Sequence, residues 1–144
     1  MEEKLFKSVL VPVNESDLSE RVINKVEQMA LCGILGDICI MTMWDVHNVD
    51  YTKLHSPDKE KLLKEQAEQL LKKYTERLKS HGIMVRTILS GGDPADSILK
   101  EIQQSKYDLV IMGSRHLNKF QELVSFSVSD RVTRLSSIPV LVVK

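Results

Sequence analysis

DLVIMGSRHLNKFQELVSFSVSDRVTRLSSIPVLVV, residues 108–143, opens on an apolar run, breaks at Gly113-Ser114-Arg115 and closes on a second β-branched run after Pro139. Leu109 to Met112 is an apolar run expected to form a strand, and Val140 to Val143, introduced by Pro139, is expected to form another. The region from Ser127 to Leu135 between them is expected to be helical. Strand, glycine-led loop, helix and strand in that order form one parallel crossover unit. Its loop stands where backbone amides and a helix N-terminus can hold an anion.

Upstream the alternation continues. Lys7 to Val13 (KSVLVPV) is a β-branched run with little alternation, and Pro12 marks its carboxyl end. Ser16 or Asp17 can cap a helix whose apolar residues Val22, Ile23, Val26, Met29 and Ala30 share one face, with Gly33 or Gly36 closing it. Asp37 to Trp44 (DICIMTMW) is a second strand. The polar segment from Asp45 to His55 reads as loop and leads to Ser56-Pro57, a cap and a first-turn proline. The long helix that follows has the stripe Leu63, Ala67, Leu70, Leu71, Tyr74 and Leu78 against an outer face of Lys and Glu, and ends at Gly82. Met84 to Leu89 reads as a third strand, Gly91-Gly92-Asp93-Pro94 as turn, cap and helix start, and Ile98, Leu99 and Ile102 as that helix's packed face.

Five strands alternating with four helices imply right-handed crossovers and a single doubly wound α/β domain, its five-stranded parallel sheet covered by helices on both faces. In such sheets a ligand sits outside the carboxyl ends of the strands where the winding reverses. That puts Pro12-Val13-Asn14 opposite Gly113-Ser114-Arg115.

Composition bounds the function. A chain of 144 residues fits one domain with one substantial core, residues 1–144. Twenty basic residues balance twenty acidic ones, so no long-range field draws the chain to nucleic acid or anionic lipid. No apolar stretch is long enough to span a bilayer, and the acidic start before a short strand is unlike a secretion signal, so the expected location is the cytoplasm. Cys32 and Cys39 lack metal or redox spacing and sit among apolar neighbours, which predicts buried free thiols. His47, His55, His81 and His116 show no ligand spacing, and no metal site is expected. Neither GxSxG, GxxxxGK[ST] nor GxGxxG is present, and no residue is assigned a catalytic role.

VLVPVNES at residues 9–16, GDPADSIL at 92–99, and IMGSR, SVSDRV and IPVLVV toward the end together resemble the universal stress protein family over essentially the whole chain. The resemblance implies strand order 3-2-1-4-5, a homodimer built on the last strand, Val140 to Val143, and membership of either an ATP-binding or a non-binding division. The apolar last strand agrees with this, because an edge with unpaired amides recruits another chain. Binding members carry GxxGx9G followed by Ser or Thr; here the same frame reads Gly113, His116, Phe126 and Ser127. Asn14 replaces the family's usual Asp. Phe126 is expected to obstruct the approach of phosphate to the amides, and His116 adds bulk. The resemblance therefore implies a stress or regulatory protein acting through dimerisation and contacts with unidentified proteins, without conventional ATP binding and so without a cofactor. The alternative is an adenine-nucleotide protein, with ATP and Mg, in a remodelled pocket. In that case Val13 and Met43 would lie near the adenine and Gly113, Arg115, Ser127 and Val128 near the phosphates, with Arg115, Ser127 and Asn14 replacing the lost glycine contacts and Pro12 also at the site.

Overall fold

A computed structural model describes residues 3–44, 56–114 and 128–144. In chain order its elements are β1 (Phe6–Pro12), α1 (Asp17–Leu31), β2 (Leu35–Trp44), α2 (Ser56–Lys79), β3 (Arg86–Gly91), α3 (Pro94–Gln104), β4 (Leu109–Gly113), α4 (Val128–Leu135) and β5 (Val140–Val143). Every strand pairing is parallel and the sheet order is β3-β2-β1-β4-β5, as expected.

Side-chain alternation along the strands divides the interior in two. Val9, Val11 and Val13 of the β1 region, with Ile38 and Ile40 of β2, face α1 and α2, where Val22, Ile23, Val26, Leu70, Leu71, Tyr74 and Leu78 cover them. Leu10, Cys39, Met41, Val110 and Met112 face the other way, against Ile98 and Ile102 of α3 and Val132 of α4. Since both faces are covered, the inner segments Val9 to Val13, Ile38 to Met41 and Leu109 to Met112 are apolar on both sides, which is why the strands read as unbroken runs.

Particular residues fix the ends of the elements. Ser16 caps α1, its side chain accepting a hydrogen bond from the Ser19 amide at 3.1 Å. Of the two glycines expected to close this helix, Gly33 does so, with φ of 79°. Gly36 belongs to β2, which starts two residues before the expected Asp37, because the Lys7 carbonyl passes where a side chain would stand: a Cβ at residue 36 would lie 2.5 Å from that oxygen. β3 is displaced from the expected Met84–Leu89 to Arg86–Gly91, since its pairing with β2 runs from Cys39↔Arg86 to Trp44↔Gly91. Met84 is left 71% exposed ahead of it. The expectation of two buried thiols needs correcting: Cys39 is buried, but Cys32 is exposed at the C-cap of α1, where the helix has already turned its apolar face away.

Asp108 fastens β4 beside β1. Its carboxylate accepts from the Lys7 and Ser8 amides at 2.8 and 3.0 Å, while its own amide donates to the Ser8 carbonyl at 2.9 Å. The strand order reverses its winding between β1 and β4, which pair at Val9↔Leu109 and Leu10↔Val110. The expected loop from Asp45 to His55 lies outside the described residues, as do Arg115, His116, Phe126 and Ser127. No helix among the described residues is long and apolar enough to cross a membrane.

Candidate functional site

A cleft of about 590 Å³ opens at the carboxyl ends of β1 and β4. Its volume falls within the range of roughly 300–1,000 Å³ usual for small-molecule sites. Six of the residues singled out from the sequence meet there: Pro12, Val13, Asn14, Met43, Gly113 and Val128. Arg115 and Ser127, with the steric roles expected of His116 and Phe126, fall outside the described residues.

The floor is apolar, made by Val13, Met43, Met112 and Ile98. Val13 is fixed through its main chain: its amide donates to the Met41 carbonyl at 2.8 Å, and its carbonyl accepts from the Thr42 hydroxyl at 2.8 Å. The rim is polar. α1, α3 and α4 all begin at the cleft, through Ser16 and Asp17, Pro94 and Val128. α3 starts there because Asp93 caps it, accepting from the Asp96 amide at 2.9 Å, with Pro94 in the first turn. Arg131 of α4 donates to both Asp93 and Asp96, tying the two helix starts together.

Asn14 is the most constrained polar side chain of the rim. Its amide donates to Ser19 Oγ at 2.8 Å, and its Oδ1 accepts from Ser16 Oγ at 2.5 Å and from Ser19 Oγ at 2.9 Å. Neither serine stood out in the sequence as a partner of Asn14, although a serine two and another five residues on is a legible signal for a side-chain network at a helix start.

Gly113 has a packing reason to be glycine. A Cβ there would meet Leu18 Cγ of α1 at 2.6 Å, so the missing side chain lets α1 lie close over the end of β4. Leu18 and Arg21, one helical turn apart, both border the cleft, and sequence reasoning missed both. Ser114 follows Gly113 and donates its amide to the Val143 carbonyl at 2.8 Å, while its buried Oγ has no hydrogen-bond partner among the described residues.

The groups whose ionisation is most displaced lie elsewhere. Burial pushes the Tyr74 and Tyr107 phenols and the Cys39 thiol upward. Glu20 on α1 is held below its usual value by a hydrogen bond from Lys73, assisted by Tyr74 and Arg77. Among the described residues no group of three or more His, Cys, Asp or Glu is arranged to hold a metal ion.

Comparison with known proteins agrees with this architecture. Universal stress protein YxiE of Bacillus subtilis is 28% identical over 97% of this chain and 100% of its own length. The solved structure of MJ0577, a universal stress protein of Methanocaldococcus jannaschii, superposes with a TM-score of 0.80 at 26% identity, covering 97% of this chain and 96% of its own. A universal stress protein solved in complex with cAMP superposes with a TM-score of 0.74 at 22% identity, covering 98% and 99%. The model of the universal stress protein family matches residues 5–144, and the chain belongs to that family.

Proposed function

We propose that this chain serves a stress or regulatory response in the cytoplasm by binding an adenine nucleotide in the cleft and passing its occupancy to protein partners as a homodimer. One observation carries the reading: an apolar-floored cleft of about 590 Å³ lies where the winding reverses and is bordered by Pro12, Val13, Asn14, Met43, Gly113 and Val128 together. Val13, Met43 and Met112 suit the flat face of a base, and the helix starts suit a sugar or phosphate oxygen. The cAMP complex supports only the shared fold at its 22% identity, so the ligand argument rests on the cleft. The dimer rests on β5, whose outer edge is unpaired among the described residues and whose Leu141 is 38% exposed.

The test is a thermal melt of the purified protein with ATP, ADP and AMP, beside the ultraviolet spectrum of whatever denaturation releases. A ligand at a hundred times its Kd stabilises a two-state fold by about 2.7 kcal/mol. Released adenine or a melt raised by any of the three sustains the reading, and no adenine with no shift sinks it.

A second reading has a specific basis, since His116 and Phe126 stand where binding members of the family have glycine. In it the protein acts through contacts alone and holds no ATP. Recovery of ATP binding by Phe126→Gly with His116→Gly, from a parent that binds none, would establish that reading and its steric cause.

A further inference from the structure

Methionine is unevenly placed in this chain. Of its six methionines, Met41, Met43 and Met112 pack into the one apolar cluster under α3 and α4, and Met43 and Met112 border the cleft. Their exposure is graded. Met41 and Met112 are 2% and 4% exposed, while Met43, near the carboxyl end of β2, is half-buried. Met43 is thus the thioether of this group that a small solute in the cleft can reach.

Among the described residues the floor has no free donor for a polar group at this position. Val13, Met112 and Ile98 have apolar side chains, the Val13 amide is held by the Met41 carbonyl, and the Thr42 hydroxyl is spent on the Val13 carbonyl. An oxygen placed on the Met43 sulfur keeps its hydrogen bonds only by facing the water of the cleft, and a base laid over it would strip them away. The thioether suits a flat aromatic ring, whereas the polar, chiral sulfoxide does not.

Resting on the nucleotide reading above, we infer that Met43 is a reversible oxidation site through which a peroxide lowers the affinity of the cleft for its nucleotide. The step is a transfer of one oxygen atom. The sulfur lone pair attacks one oxygen of hydrogen peroxide, the O–O bond breaks as the S–O bond forms, and the departing hydroxide takes up the remaining proton and leaves as water. Sulfur loses two electrons and peroxide gains them, and methionine sulfoxide reductases restore the thioether. A bound nucleotide covers Met43, so ligand and oxidant oppose each other at one side chain.

Peptide mass spectrometry after graded hydrogen peroxide, with calorimetry against AMP, ADP and ATP, tests this in a Cys32→Ser background that removes the exposed thiol. Met84, mostly exposed and outside the cleft, oxidises first and serves as the reference. Met43 is expected to follow, about tenfold or more ahead of Met112 and Met41, and to slow under saturating nucleotide while Met84 does not. The oxidised protein is expected to bind about tenfold more weakly or worse, and to recover after treatment with reductases A and B. The same loss is expected in Met84→Leu. Met43→Leu should give one affinity before and after peroxide, whatever that affinity is, and Met43→Gln should bind weakly without peroxide. Where Met43→Leu fails to fold, recovery by the reductases carries the decision. Affinity untouched by the Met43 sulfoxide, a loss that persists in Met43→Leu, or oxidation of Met43 indifferent to nucleotide overturns the inference and leaves the nucleotide reading standing. If the untreated protein binds none of the three nucleotides, that reading falls. The order of oxidation then decides the site: Met43 well ahead of Met112 and Met41 sustains it, and an even or reversed order removes it.

Discussion

A single missing methyl group illustrates how position decides a residue's job. Gly113 follows an apolar strand in a phosphate-type loop, which invites a ligand role, yet its Cβ would strike Leu18 at 2.6 Å. Gly113→Ala is expected to cost about 1–3 kcal/mol through overpacking, seen as a lower urea midpoint. Leu18→Ala in the same chain should recover part of that loss, since the two changes share one contact and are not additive. The two cysteines make a parallel case. Cys39 lies wholly buried with its thiol pushed upward by desolvation, whereas Cys32 is at the surface. Ellman's reagent should modify one thiol in the native protein and the second only after denaturation, with Cys32→Ser removing the fast reaction. If the native protein gives two fast thiols or none, that assignment fails. The sequence did not separate the pair, because Leu31 beside Cys32 is apolar too, and only the angle at which α1 leaves the sheet turns both outward.

Between elements, the junction of α1 with α2 is a set of charges built around Glu20. Lys73 Nζ donates to its Oε1 at 2.7 Å, Arg77 Nη1 to its Oε2 at 3.0 Å and the Tyr74 hydroxyl to Oε1 at 3.1 Å. Because these donors hold the folded-state carboxyl below its usual 4.5, the folded chain binds fewer protons than the unfolded chain through that region. The stabilisation is complete above that value and disappears as pH falls through the lower folded one. Glu20 and Lys73 side chains are 36% and 60% exposed, so solvent screening limits the whole effect to about 0.5–1 kcal/mol. Glu20→Gln should lose that amount at pH 7 and progressively less as the pH falls below 4.5, and a constant difference across the range would refute the linkage. Much at this scale was legible in the sequence: β-branched runs marked the strands, the Ser16 cap marked α1, and Ser56-Pro57 marked where α2 begins. Boundaries were not, where contacts far along the chain decided them. Gly36 resembles a helix stop, yet the passing Lys7 carbonyl puts it in a strand, and β3 starts where β2 can pair with it. In the cleft, the facing of Asn14 and Gly113 followed from the topology alone, whereas Leu18 and Arg21 depend on how α1 is rotated against the sheet.

For the molecule as a whole, the two outer strands differ in kind. β3 carries Arg86, paired with Asp37 at 2.7 Å on the neighbouring strand, so one margin of the sheet is charged. β5 is Val140–Val143, wholly aliphatic, so this margin carries no charge to oppose pairing with a second chain. Sedimentation at micromolar concentration is expected to give a dimer for the wild type and a monomer for Leu141→Lys, with unchanged far-ultraviolet circular dichroism. A wild-type monomer would remove the dimer from the proposal. The order β3-β2-β1-β4-β5 also bears on the time course of synthesis. The strand at the middle of the sheet is the first to leave the ribosome, and its second neighbour, Leu109–Gly113, is made about a hundred residues later. Until then a nascent half-sheet of three strands presents the raw flank of β1, a hydrophobic seam open to chaperones and to misassembly, and the Asp108 clasp is the first bond able to close it.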